Sequence, residues 1–173
     1  VVSLITAMPQ ASETAALSML SIPPPFAPTL ASFLNLRSRF DVKALGEVAN
    51  LSPGRCHLGT SGSHLEFSEA QGRINLRKSS MASQTASEDS FDHLLNSAAR
   101  LYNDNVVVVL LSGADLGSMQ GLNAANAAGG KILVPELDSC ILPATIEPAK
   151  TAGLVTDTFN PGNMQEMLGR YCS

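Results

Sequence analysis

The chain has 173 residues, of which 45% are apolar and 15% charged, and a formal net charge of -4. This is the composition of a folded globular protein, not a disordered one, and the length suits a single domain over residues 1–173 with a substantial core. The negative charge argues against nucleic acid as a partner, because phosphate binding calls for a basic surface; no apolar run approaches the roughly 20 residues of a membrane span.

The chain opens with VVSLI, an apolar run over 1–5 that reads as a buried strand. Residues 12–20 (SETAALSML) read as a helix with Ser12 as its N-cap. Pro23, Pro24 and Pro25 then break the chain, and a short amphipathic helix resumes over 29–34. Residues 42–45 are expected to form a strand that leads to a turn at Ser52, Pro53 and Gly54. Short strands are expected over 56–58 and 65–67, around Gly59-Thr60-Ser61-Gly62, with a third over 73–76. Together these suggest a small antiparallel hairpin region. A Ser-rich polar loop follows over 79–89.

Phe91, Leu94, Leu95, Ala98 and Leu101 recur at helical spacing, so 90–101 reads as a helix. The VVVVLL run over 106–111 reads as a central strand buried on both faces. A glycine-rich turn with Gly113, Gly117 and Gly121 comes next, then a small-residue helix over 122–128. Residues 131–134 form the next strand, 146–152 a helix, 154–156 a short edge strand and 164–171 a terminal helix. This alternation predicts a three-layer α/β/α domain, doubly wound, with a mostly parallel sheet and right-handed crossovers. Such folds place their chemistry just beyond the carboxyl ends of strands. The turn after residue 111 is therefore the first place to look for a site.

The cysteines, Cys56, Cys140 and Cys172, are odd in number and widely spaced. No CxxC or Cys/His cluster suggests a disulfide framework or a metal site. Free thiols fit a reducing cytoplasm. No signal peptide is expected, because the first residues lack a basic segment. A start at Val1 with no methionine suggests a piece of a longer protein. The glycines of the turn lack a GxGxxG or Lys-Ser/Thr signature, so close loop packing is preferred to a phosphate cradle and no cofactor is expected.

His64, Ser112, Asp115 and Ser118 are the polar groups that could share a cleft. The plainer alternative has Ser112 capping the strand end and Asp115 solvated. His57 and His93 read as structural or surface groups. Asp92 could cap its helix or anchor a neighbouring loop.

A series of landmarks resembles the catalytic domain of the chemotaxis protein-glutamate methylesterase (CheB) family. Pro24-Pro25-Phe26 with residues 31–35 is similar to its MPxxF…L-N helix entry. PGRCHLGTSGSHL, over 53–65, is similar to PGxVYIAPGGxHL. SFDHLLNSAA, over 90–99, is similar to SVDxLFxSxA. Leu110-Leu111-Ser112-Gly113, Gly121-Leu122, Ala128-Gly129-Gly130 and Asp138-Ser139-Cys140 are similar to LLTGMGxDGxxGL…AGG…DxxSC. Each motif alone is weak, but their order over roughly 150 residues is specific.

The resemblance implies an enzyme that removes methyl esters from glutamates of chemoreceptors, with a serine, a histidine and an aspartate as its triad. It also implies a receiver domain in the same chain and a place in a two-component pathway. The family serine follows the first strand in a GASTGG turn; here Ala7 falls at that position, in Ile5-Thr6-Ala7-Met8-Pro9-Gln10. The family histidine ends the second strand in QHMP; Ser21 is the nearest counterpart, and the second strand reads as shortened or absent. A second register sets residues 4–9 against IVQHMP and puts Ala7 at the histidine position instead. The family aspartate lies in GMGxDG; Gly117 falls there, with Asp115 two residues early. The family's GMP after the SC motif reads Ala144-Thr145-Ile146. The expectation is a degenerate, non-catalytic member that binds a chemoreceptor or other signalling protein. The alternative is an active methylesterase with a relocated or misaligned site.

Overall fold

A computed structural model describes residues 2–8, 13–60, 64–78 and 90–172. The chain opens not with a strand but with α1, Val2–Ala7, which turns Ile5 and Met8 inward, both buried in one hydrophobic core. The β-branched residues that suggested a strand are overruled by this packing. The helix expected over 12–20 is instead strand β1, Ala16–Leu20. Ala, Leu and Met are good helix formers, but here they pair in parallel with Cys56–Thr60, and strand pairing outweighs local propensity. The strand thought shortened or absent is this one. Residue 12, the expected N-cap, lies outside the described residues.

A 3-10 turn at Pro24–Phe26 leads into α2, Ala27–Asn35, with a proline in its first turn, where a missing N–H costs nothing. Then come β2, Asp41–Ala44; β3, Val48–Asn50; β4, Arg55–Thr60; β5, Leu65–Ala70; and β6, Arg73–Lys78. The stretch expected as part of a hairpin at 56–58 belongs to β4, the middle strand of a parallel group ordered β1-β4-β2. The antiparallel region is real but made of β3-β6-β5. The polar loop expected over 79–89 lies outside the described residues, as does the 61–63 part of the glycine turn.

Helix α3, Ser90–Tyr102, precedes β7, Val107–Val109; α4, Gln120–Ala127; β8, Lys131–Pro135; α5, Glu147–Thr151; β9, Asp157–Phe159; and α6, Met164–Tyr171. Strands β7, β8 and β9 form a second parallel group in that order. The edge strand thus falls three residues later than 154–156. Strand β7 is not central by hydrogen bonding, for it is the outer member of its group, and Val107 and Val109 are only half-buried.

Two cores cover the two faces of these parallel strands. The first holds Val106, Val108, Leu110, Ile132 and Val134 with residues of α3, α4 and α5, under the β5–β6 hairpin. The second holds Leu20, Val42, Cys56, Leu58, Leu133 and Phe159 with residues of α1, α2 and α6. Alternate residues of one strand enter opposite cores, as the period of two demands. The result is the expected doubly wound α/β/α arrangement.

Candidate functional site at the switch point

The two parallel groups share a direction. Helix α6 runs back from the carboxyl end of β9, and at its far end the carbonyl of Cys172 accepts a hydrogen bond from Thr14 Oγ1 at 2.8 Å, just ahead of β1. Helix α1 packs against both α2 and α6, which makes β1 the strand of its group nearest the other group. The crossover from β1 to β2 uses α2 on the second face, whereas β7 to β8 and β8 to β9 use α4 and α5 on the first face. Right-handed crossovers on opposite faces proceed in opposite directions. The winding therefore reverses between β1 and β7, and the crevice outside their carboxyl ends is where folds of this kind bind ligands. Ser21 follows β1 there, and Ser112 and Gly113 follow β7.

The loop after β7 borders a cleft of about 460 Å³, lined by Gly113, Asp115, Leu116, Gly117 and Met119 on one side and Ala144, Thr145 and Pro148 on the other. Its start is stitched to the segment after β8. The Gly113 N–H donates to Thr145 Oγ1 at 3.0 Å, and the Leu142 N–H donates to Ser112 Oγ at 2.7 Å. Gly113 and Gly117 have φ of 86° and 56°, in the region that favours glycine. Ser112 is thus engaged with the segment after β8.

Asp92 anchors the other end of the loop. Its carboxylate, 4% exposed, accepts from Ser118 N at 2.8 Å, Ser118 Oγ at 2.7 Å and Gly121 N at 2.7 Å. An internal carboxylate thus sits at the amino end of α4, where a phosphate cradle would need open N–H groups. Asp115 is exposed, as the plainer alternative expected, and its Oδ1 accepts from Gly117 N at 3.1 Å. Asp115 and Gly117 line the cleft; Ser112, Ser118 and His64 do not. Of the four polar groups expected to meet there, only Asp115 does.

The three histidines are dispersed. His57 lies inside β4, its Nε2 3.3 Å from the Asn50 carbonyl and its Nδ1 buried without a partner. Burial pushes its pKa down, because a buried ring disfavours the charged form. His93 Nε2 lies 3.0 Å from Glu66 Oε2, and Arg77 Nη2 lies 2.8 Å from Glu66 Oε1. The His93 bond, with help from Arg77, holds the Glu66 carboxyl below its usual range. His64, half-buried ahead of β5, is joined to no serine or acid by any hydrogen bond or ion pair among the described residues. Cys56 and Cys172 are buried thiols, and burial pushes Cys56 up to about 11. No group of acids, histidines and cysteines able to hold a metal occurs among the described residues, and no helix among them is long and apolar enough to cross a membrane.

The sequence signalled Asp92 as a possible loop anchor, and that is its role. It gave no signal for Thr145, whose partnership with Gly113 spans 32 positions.

Fold and loop together define a doubly wound α/β domain with a cleft between the glycine-rich loop after β7 and residues 144–148. The CheB methylesterase family profile matches residues 1–168, and the chain belongs to that family. A protein-glutamate methylesterase/protein-glutamine glutaminase of Myxococcus xanthus is 33% identical over 153 residues, 88% of this chain and 44% of that protein. A second, from Shewanella oneidensis, is 25% identical over 87% of this chain and 43% of its own length. The chain thus spans less than half the length of these curated relatives. In fold, it resembles the crystal structure of the Thermotoga maritima CheB methylesterase catalytic domain, with a TM-score of 0.79 and 20% identity, over 96% of this chain and 88% of that one.

The structure bears on the two registers of the amino-terminal segment. Ala7 sits in α1 and not in a turn after a strand, unlike either family turn against which the two registers set it. Strand β1 fills the stretch read as a shortened or absent strand, and Ser21 lies directly after it.

Proposed function

We propose that this chain is a CheB-type methylesterase domain that binds a chemoreceptor or other signalling protein without hydrolysing methyl esters. Its setting would be the cytoplasm, in a two-component pathway, within a longer protein that carries a receiver domain. One observation supports the reading above others: among the described residues no hydrogen bond joins His57, His64 or His93 to a serine oxygen, His57 and His93 being engaged by the Asn50 carbonyl and Glu66, and the resemblance sets Ser21 against the family histidine. A serine nucleophile needs a base within hydrogen-bond reach. Asp115 adds to this, because its carboxylate accepts from the Gly117 N–H of its own loop. Losing one member of such a triad costs on the order of 10⁴ in rate or more, by analogy with serine proteases.

The competing reading is an active protein-glutamate methylesterase with a relocated site. The cleft beside the loop after β7 favours it, because Asp115 lines that space. Methanol release from methylated receptor fragments, measured beside fragment binding, separates the two. The expected result is binding without methanol. Turnover that His64→Ala abolishes would overturn the scaffold reading and establish a relocated site.

A further inference from the structure

Helix α2 carries two apolar stripes. One is buried: Ala27, Ala31 and Leu34 face inward at helical spacing. The other lies across the helix from it and faces out. Phe26 at the amino end, Phe33, and Leu36 at the carboxyl end are 63%, 43% and 84% exposed. With the exposed Thr29 they stand at positions i, i+3, i+7 and i+10. That alternation of three and four is the spacing of a seam between two helices. Exposed apolar residues scattered singly need no explanation, but a row at seam spacing marks an interaction surface. The fold makes no use of this row, since the buried stripe already fixes α2 on the sheet.

The charges beside the row have one sign. From Thr14 to Phe40 the sequence has no aspartate or glutamate, and Arg37 and Arg39 are its only charged residues, in a chain whose net charge is -4. Both arginines are exposed, and neither forms an ion pair among the described residues. The nearest carboxylate in sequence, Asp41, is taken by Lys43 and Arg55. Arg37 is also held in place. Its guanidinium lies 3.9 Å from the centre of the Phe33 ring, and its Nη1 donates to the Phe33 carbonyl at 3.4 Å. A fixed cation thus stands against the apolar row, where charged residues flank a helical seam and choose its partner.

We infer that the outer face of α2 docks an amphipathic helix of a partner protein, one whose apolar stripe is flanked by carboxylates. The spacing of Phe26, Thr29, Phe33 and Leu36 selects a helix, and Arg37 and Arg39 select its charge. The row runs about 15 Å along the axis, so roughly three turns of the partner are engaged, a small contact suited to transient recognition. Two other occupants fit less well. The same face of a second copy offers no carboxylate to Arg37. An anionic lipid surface calls for a cluster of about four to eight basic residues, and this face has Arg37 and Arg39 alone. The inference rests on the binding half of the proposed function and gives it a surface; it does not depend on whether esters are turned over.

Titration of the full-length protein with a synthetic helical peptide of leucine heptads flanked by glutamates tests it, beside the same peptide with lysine at each flank. The glutamate peptide should bind about tenfold tighter or more, and added salt should weaken it. Phe33→Ser and Leu36→Ser should each weaken it by about tenfold. Reversing both charges, Arg37→Glu with Arg39→Glu, should turn the preference toward the lysine peptide, which a loss of folding could not do. Equal binding of the two peptides, or binding that these substitutions leave unchanged, would overturn the inference. So would self-association, or adsorption to phosphatidylglycerol vesicles, that the same substitutions abolish while neither peptide binds. Methylated receptor fragments that bind the parent and Phe33→Ser equally would overturn this surface and leave the proposed function intact.

Discussion

Two side chains show what single residues contribute here. Asp92 holds three donors from the loop and helix that border the cleft, and it is the reason the 113–119 turn has a fixed position over α3. His57 is the opposite case, a buried ring with one nitrogen unpartnered. Its depressed pKa has a consequence for stability. In the unfolded chain the ring takes up a proton near its ordinary pKa of 6.5, while in the fold it resists until lower pH. The unfolded state therefore binds more protons as pH falls through 6.5, and stability drops with it. Around the ring, Arg55 and Lys43 add to this depression, while Asp41 and the Asn50 carbonyl oppose it. Urea midpoints between pH 7.5 and 5 should fall for the native sequence and fall less for His57→Gln. The difference is at most about 1.4 kcal/mol per pH unit, the limit for one proton. Equal slopes would mean that His57 does not titrate differently in the two states.

At the scale of elements, α3 and α4 meet through Gly121. A Cβ there would come within 2.7 Å of Asp92 Cα and 2.8 Å of both the Asp92 carbonyl oxygen and Leu95 Cβ. Two of these are backbone atoms and cannot swing away. Gly121→Ala should cost about 1–3 kcal/mol through overpacking, despite the better helix propensity of alanine. Gly169, inside α6, has open space where its Cβ would go, so Gly169→Ala should stabilise by about 0.5–1 kcal/mol. Opposite shifts in the two urea midpoints are the expected outcome; a stabilised Gly121→Ala would refute the close contact.

Legibility from sequence also divides by element. Helices α2, α3 and α6 were readable because each carries a full apolar stripe and little competes with it. The final one spans 164–171 as read. The first 20 residues were misread in both directions, with a helix taken for a strand and a strand for a helix. The reason is physical. Residues 2–7 are too few for periodicity to decide, and β1 owes its state to Cys56–Thr60, some 40 positions away. The same non-local pairing hid the switch point, although Ser21 was named. The glycine loop was legible as the site's border, but its fastenings to Asp92 and Thr145 required the fold.

The whole molecule raises the question of whether two cores mean two folding units. Strand β8 argues that they do not. Ile132 and Val134 enter the first core and Leu133 the second, all fully buried on consecutive positions. Neither core can lose its sheet face without the other losing its own, so one cooperative transition is expected. The chain contains two tyrosines and no tryptophan, and each tyrosine reports on a different core. Tyr102 packs on the first, edge-on to Phe67 at 5.6 Å between ring centroids. Tyr171 packs on the second, its hydroxyl donating to Asp157 Oδ2 at 3.2 Å. Tyr171→Phe leaves a fluorophore in the first core alone, and Tyr102→Phe leaves one in the second alone. In each variant the fluorescence midpoint in urea should coincide with the midpoint of the far-ultraviolet circular dichroism. If the first-core tyrosine unfolded at a different urea concentration from the backbone signal, the shared strands would not be enforcing cooperativity.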